Sequence, residues 1–328
     1  MSVQLLLTVW HALLQVLIQV LPITFAALFG AELLVRLGAM KKLAPLGVPL
    51  TKLSRLPSES TITFITGIGS ITAANSMLAA FRNDGTIDDR ELILSSLLNS
   101  IPMYIRESIT YHLPIVFPLL GLRVGTIYFV TFWVAGLLKL LFIILGGRMM
   151  LGKERQQKGE ETPGIADPDS GEKQKPNPGF KRLLGDVFRA QMGLFLRIVS
   201  YYSIVTFVVL LCMELGLFKW TDALIAPMTG RFGLPSAVVG PLSAYVVSPM
   251  AGLTSMAALL QNGQVTEHQA IVALMVGGLI MIPVIYLRCM LPNYVVIFGA
   301  RLGTPIVLLS MGFAFLARLI ILGAVTCF

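Results

Sequence analysis

SESTITFITGIGSITAANSMLAAFR, Ser58–Arg82, is the stretch whose reading decides the fold. It is moderately apolar and rich in Ser, Thr, Gly and Ala. Its centre, Gly67-Ile68-Gly69-Ser70, is expected to break a helix. A helix, a break and a second helix in so short a span suit a re-entrant hairpin. Broken backbone survives at membrane depth only where protein or a wet cavity covers it. The competing reading is one ordinary helix with small residues for close packing. SAVVGPLSAYVVSPMAGLTSMAALL, Ser236–Leu260, repeats the pattern, with Ser248-Pro249-Met250-Ala251-Gly252 as its breaker.

Working outward, apolar runs of spanning length flank both stretches. Of 328 residues, 55% are hydrophobic and 13% charged, with a mean hydropathy of +0.80. Soluble domains carry about 25% charged residues, so this chain lacks the polar surface a soluble fold needs. A bilayer crossing takes roughly 20 apolar residues. Crossings are expected near Leu5–Leu37, along an interrupted helix from Asp89 to Leu122, and at Thr126–Leu145. In the second part they fall near Phe195–Phe218, Ala270–Met290 and Pro305–Leu322. The first run begins almost at once with no basic leader, so it reads as a retained helix. Lys41–Arg55, broken by Pro45 and Pro49, reads as an interfacial segment. Lys153–Lys181 is hydrophilic with four prolines and reads as a flexible linker.

The order of landmarks repeats. Glu32-Leu33 and Ala44-Pro45 match Glu214-Leu215 and Ala226-Pro227 at one offset. Leu56-Pro57-Ser58 matches Leu234-Pro235-Ser236, and Ser76-Met77 matches Ser255-Met256. Ile101-Pro102 with Tyr104 and Arg106 matches Ile282-Pro283 with Tyr286 and Arg288. Arg123-Val124-Gly125 matches Arg301-Leu302-Gly303. The organisation expected is a first repeat at 1–152, a linker at 153–182 and a second repeat at 183–328. The hairpins lie at 58–82 and 236–260. Three crossings per repeat is an odd number, so the repeats must be inverted. Arg36, Lys41, Lys42, Lys52 and Arg55 place the first interfacial segment in the cytoplasm with the linker, and both termini outside. The expected class is an all-α integral membrane protein. It is an inverted-repeat transporter with six transmembrane helices, two re-entrant helical hairpins and two interfacial helices.

TGIGSITAANSMLAAF with NSIPMYIRES, and SPMAGLTSMAALL with IPVIYLRCMLP, resemble the transport core of concentrative nucleoside transporters. More closely they resemble the nucleoside recognition, or Gate-domain, membrane proteins of bacteria and archaea, which include the spore maturation A and B proteins. That resemblance implies a prokaryotic plasma-membrane transporter of a small polar or aromatic solute, with a nucleoside-like one among the candidates. It implies coupling to Na⁺ or H⁺ and a homo-oligomer. Carried over by position, it puts substrate on Gly67, Gly69, Ser70, Thr72, Asn75, Asn99 and Ser100, and on Ser248, Thr254 and Ser255. Two other readings stay open: an exporter of amphipathic organic compounds, suggested by the apolar hairpins, and a non-transporting scaffold of envelope or spore maturation.

Arg106 and Arg288 match between repeats and follow a Tyr. They either bind an anionic solute or reach headgroups at the far interface. Glu32 and Glu214 either carry a coupling proton or pair with nearby bases. Lys139 and Arg318 are expected to snorkel. The net charge of +8 follows the ends of apolar runs and the linker, which speaks for membrane orientation and against nucleic acid. Cys212, Cys289 and Cys327 lie far apart and read as packing residues. No metal is expected at His11, His112 or His268. HExxH, GxSxG and GxxxxGK[ST] are absent, so no enzymatic or nucleotide-driven reading is supported.

Overall fold

A computed structural model describes residues 45–151, 233–247 and 249–327, together with isolated residues 29, 185, 188, 189, 192, 196 and 200. The crossings expected near Leu5–Leu37 and Phe195–Phe218, the linker, Glu32, Glu214 and Ser248 lie outside the described residues.

The described residues are helical. Gly47–Leu53 (α1) packs on Ser58–Gly69 (α2), which begins at Pro57, where an absent N–H costs nothing. Ile71–Asn83 (α3) folds back against α2. The break falls at Ser70 (φ −150°, ψ 112°), whose Oγ accepts from Ala73 N at 3.2 Å. It falls on the last residue of the expected Gly67-Ile68-Gly69-Ser70 centre, while α2 runs on through Gly67 and Gly69. Gly67 is instead needed for close approach, since a Cβ there would stand 3.0 Å from the Asn99 carbonyl oxygen. Each arm is about 18–20 Å long at about 1.5 Å per residue. Neither alone crosses an apolar layer of about 30 Å.

Gly85 (φ +73°) turns the chain into Asp89–Asn99 (α4). A reciprocal cap starts α4: Asp88 Oδ1 accepts from Glu91 N at 2.8 Å, and Glu91 Oε2 accepts from Asp88 N at 2.8 Å. The chain continues through Ile101–Glu107 (α5) and a π-helical stretch, Ser108–Val116, into Phe117–Met150 (α6). Gly121 (φ +76°, ψ 175°) kinks α6, in a region that only glycine enters cheaply.

The second part also runs through two packed helices, a capped helix, a π-helical stretch and a glycine kink, but its capped helix, Glu267–Ile285, continues without a break like the one at Ser100. Pro235 opens a 3₁₀ turn and Val239–Val247 (α7), then Pro249–Gln261 (α8) packs against α7. Gly263 (φ +67°) leads into Glu267–Ile285 (α9), capped reciprocally by Thr266 and Gln269. A π-helical stretch, Tyr286–Met290, and Leu291–Phe298 (α10) follow. Gly299 (φ +77°, ψ 163°) kinks the chain into Ala300–Cys327 (α11). Gly121→Ala and Gly299→Ala are each expected to lower the thermal midpoint in detergent, through about 1–3 kcal/mol of strain. Gly69→Ala, with nothing within 4 Å of the new methyl, serves as the control.

Among the described residues, three helical stretches are long and apolar enough to cross a membrane: Asp89–Met150, Glu267–Phe298 and Ala300–Cys327. The first bends back at Gly121. Leu137, Leu141 and Leu145 on α6 and Leu308, Leu316 and Ile320 on α11 are exposed in rows at helical spacing. Such rows suit contact with lipid. The protein is therefore an all-α, multi-pass membrane protein.

Contacts between the two parts are reciprocal. α4 packs on α11, and α9 packs on α6. Arg123 Nη1 meets Glu267 Oε2 at 3.2 Å, while Arg301 Nη2 lies 4.0 Å from Asp89 Oδ2. Arg123 and Arg301 match in sequence, and so do the capped starts at Asp89 and Glu267.

Candidate functional site

α2, α3 and α4 converge where the chain breaks at Ser100. Asn75 sits on the buried face of α3, and Ser96 and Asn99 on the last turn of α4. All three are at most 1% exposed. Ser96 Oγ donates to Asn75 Oδ1 at 3.1 Å, and Asn99 Nδ2 donates to the same oxygen at 3.5 Å. Asn99 Oδ1 is buried with no hydrogen-bond partner. A buried amide oxygen without a donor costs about 1–3 kcal/mol. It is an acceptor pointed at protein interior.

Pro102 near the start of α5 cannot continue the α4 ladder, because it has no N–H and its ring crowds the preceding turn. Ser100 is left at the join. Its Oγ donates to Leu97 O at 2.7 Å and accepts from Lys139 Nζ at 3.0 Å. Lys139 is 3% exposed, and its Nζ lies 5.4 Å from the centre of the Tyr104 ring. Lys139 therefore does not snorkel. Its short route to the Ser100 hydroxyl and an aromatic face replaces water.

Arg318 does not snorkel either. Its side chain lies across Gly278, where any Cβ would collide with Nε, Cδ and Cζ. Arg318 Nε is buried without a hydrogen-bond partner, and Tyr245 packs beside the neighbouring Gly277. Tyr128 and Tyr245 share a hydrogen bond between hydroxyls at 2.8 Å. Tyr104, Ala135, Ile282, Ala314 and Ala317 form the cluster where α6 and α11 meet, with Tyr286 against it. Small residues on both helices make that approach possible. Neither Lys139 nor Arg318 has an acidic partner among the described residues.

The residues singled out from sequence are divided by the structure. Gly67, Asn75, Asn99 and Ser100 come together. Gly69, Ser70 and Thr72 lie exposed at the turn between α2 and α3. Thr254 and Ser255 are buried, but both donate to Ala251 O of their own helix, at 2.9 and 2.7 Å. They sit among residues of the second core cluster, with Leu253 and Met256. Arg106 is half-buried beside Glu107 on α5, and Arg288 is exposed. Sequence reasoning read Lys139 and Arg318 as snorkelling and gave no role to the tyrosines around them. The available signal was position: both cations interrupt apolar runs well away from either end, and an intramembrane charge is a functional hypothesis by default.

His112 is also buried, at 2% exposure, with Nδ1 3.1 Å from Glu107 O and its ring 4.4 Å from that of Phe132. No group of three or more metal-ligating side chains occurs among the described residues.

No protein-family model matches the chain, and no solved structure matches it. Three proteins of the archaeon Methanocaldococcus jannaschii are similar over nearly their whole length, and all three carry the name uncharacterized protein. MJ0880 is 24% identical over 293 residues, covering 89% of this chain and 91% of that protein. MJ0871 is 23% identical over 305 residues, covering 93% and 92%. MJ1556 is 25% identical over 291 residues, covering 88% of each. The chain is thus similar over most of its length to archaeal proteins whose names assign no activity.

Proposed function

We propose that the protein is a secondary transporter. Its two parts are inverted repeats, and its solute site lies between the first hairpin, the break at Ser100 and the crossing of α6 with α11. The observation that carries this reading is the buried polar cluster at a helix break. Asn75, Ser96, Asn99, Ser100 and Lys139 occupy the interior of an apolar bundle, with one amide oxygen unsatisfied. A purely structural core gains little from such a cluster, whereas a solute site in lipid needs it. A nucleoside-recognition or Gate-type relationship stays a proposal carried by the hairpin and broken-helix motifs.

The inverted arrangement is supported by the reciprocal contacts. A pair of matched residues that exchange partners is what a two-fold relation produces. Asp89 and Met150 line one surface cleft with Arg82 and Arg90, so α4 starts where α6 ends. Arg301 is on that side, and Arg123 with Glu267 is on the other. The first side also carries Lys52, Arg55 and Arg148, which the positive-inside rule puts in the cytoplasm.

Two measurements test this. In a variant with Cys212, Cys289 and Cys327 replaced by Ser, single cysteines at 123 and 301 are expected to react with an impermeant maleimide from opposite sides of sealed cells. Labelling of both from one side overturns the inversion. In proteoliposomes, saturable flux is expected for one class among nucleosides, organic anions and organic cations under a Na⁺ or H⁺ gradient. Absence of flux for every class would move the protein to the scaffold reading.

A further inference from the structure

Of the charged groups in the described interior, two belong to no ion pair. Lys139 donates to Ser100 Oγ and faces the Tyr104 ring; Arg318 lies over Gly278 with Nε unpartnered. The half-buried carboxylate in this neighbourhood, Glu107, forms an ion pair with neither cation. The crossing of α6 and α11 therefore holds two positive charges with no ion-pair partner among the described residues. Tyr104 lies near both: its ring is under Lys139, and it packs in one cluster with Ala317, the residue before Arg318.

Burying one unpaired cation in a bundle costs several kcal/mol, and two of like sign cost more. Such a pair persists where a counter-ion visits. The surroundings define that counter-ion. Arginine and lysine donate hydrogen bonds and accept none. Hydroxyls of Tyr104, Tyr128, Tyr245 and Tyr286 can add donors, and their rings offer an apolar wall. Neutral nucleoside bases would leave both charges uncompensated.

Position along the helices points the same way. At about 1.5 Å per residue, Lys139 stands about 24 Å from Arg123 and Arg318 about 26 Å from Arg301. If α6 and α11 are antiparallel and each spans about 40 Å from its arginine, the cations lie on either side of the midpoint, about 10 Å apart along the axis. That is where an alternating-access site belongs.

We infer that the solute is a small organic anion, bearing a carboxylate or phosphate, bound between Arg318 and Lys139 with its carbon skeleton against the tyrosines. The inference names the substrate class of the transport site proposed above and rests on that reading. It moves the anion contact from Arg106 and Arg288, where matching sequence suggested it, to buried Lys139 and half-buried Arg318.

The test is equilibrium binding, read as a shift of the thermal midpoint of the full chain in phosphatidylcholine nanodiscs at constant ionic strength. The probes are benzoate, succinate, inorganic phosphate, uridine and choline. At least one of the soluble anions is expected to raise the midpoint saturably, while uridine and choline leave it unchanged. Arg318→Gln and Lys139→Met are each expected to raise the half-saturating concentration at least about tenfold, the loss of one charge-assisted contact. Arg123→Gln, at the exposed ion pair, is expected to keep the full shift. Arg318→Lys retains charge and carries the test if Arg318→Gln fails to fold.

No shift with any soluble anion, or an equal shift in Arg318→Gln and Lys139→Met, overturns the inference. A shift produced only by phosphatidylglycerol in the nanodisc assigns the charges to a lipid headgroup and overturns it too. Flux separates the two readings. Uridine transport unaltered by Arg318→Gln removes the anion inference and leaves the transporter. Anion stabilisation that depends on Arg318, without flux of any solute, supports the anion site and removes the transporter.

Discussion

Gly252→Ala is expected to lower flux at least about tenfold and to cost about 2–3 kcal/mol or more in thermal stability, the range of an overpacked core. The added methyl would overlap the backbone and Cβ of Tyr245, which is 1% exposed. Backbone cannot rotate aside, so α7 and α8 must separate. Separation would pull the Tyr245 hydroxyl from Tyr128 and loosen the packing beside Gly277 and Gly278, where Arg318 lies. Gly277→Ala is the informative contrast. Its methyl would meet Leu242 Cδ2 at 2.6 Å and Tyr245 Cδ1 at 2.9 Å, side-chain ends that have some freedom to shift. It is expected to do less damage. Melting curves in detergent and uptake into proteoliposomes check both. Equal behaviour of Gly252→Ala and the native chain would mean the hairpin packing does not govern the site.

Lys139→Met is expected to move stability and activity in opposite directions. Removing a buried cation with no acidic partner, and filling its volume with a flexible apolar chain, stabilises by about 1–3 kcal/mol. Ser100 Oγ loses a donor but keeps its own bond to Leu97 O. Flux of the native substrate is expected to fall at least about tenfold. A structural lysine would show the reverse pattern: lower stability with unchanged flux per folded molecule. Asn75→Leu probes the same site from the other side. It strands Ser96 Oγ and Asn99 Nδ2 in a dry interior, so it is expected to destabilise by about 2–4 kcal/mol and to reduce flux.

Much of the architecture was legible from residue types alone. Long apolar runs dictate membrane crossings because nothing else in such a chain can cover a soluble surface. Pro57 and Pro235, the caps before α4 and α9, and the interruption at Pro102 mark helix boundaries through local backbone chemistry. The helix–break–helix form of Ser58–Arg82 and Ser236–Leu260 was readable for the same reason. Within the Gly67-Ile68-Gly69-Ser70 centre the break fell on Ser70 and not on either glycine, because glycine permits an irregular backbone without requiring one. Gly67 was retained by a neighbouring carbonyl, and that neighbour lies 32 positions along the chain.

Site composition was legible only in part. Asn75, Asn99 and Ser100 stood out as polar residues in apolar surroundings, and they meet. Thr254 and Ser255 stood out equally, yet each returns its hydrogen bond to its own helix. A one-dimensional pattern cannot say which option a hydroxyl takes, since both satisfy it. Lys139 and Arg318 were visible as charges in apolar runs. Whether such a side chain bends to headgroups or turns inward depends on what packs against its helix.

The sequence by itself determined the membrane environment, the helix boundaries and the duplicated order of landmarks, all of which follow from local propensity and hydropathy. The tertiary structure decided which polar groups share a space. It set Gly67 against Asn99, brought Lys139 to Ser100 and Tyr104, laid Arg318 across Gly278, and exchanged Arg123 and Arg301 between the two parts. Those contacts join residues far apart along the chain. They come from the close packing of small-residue helix faces, which no local rule encodes.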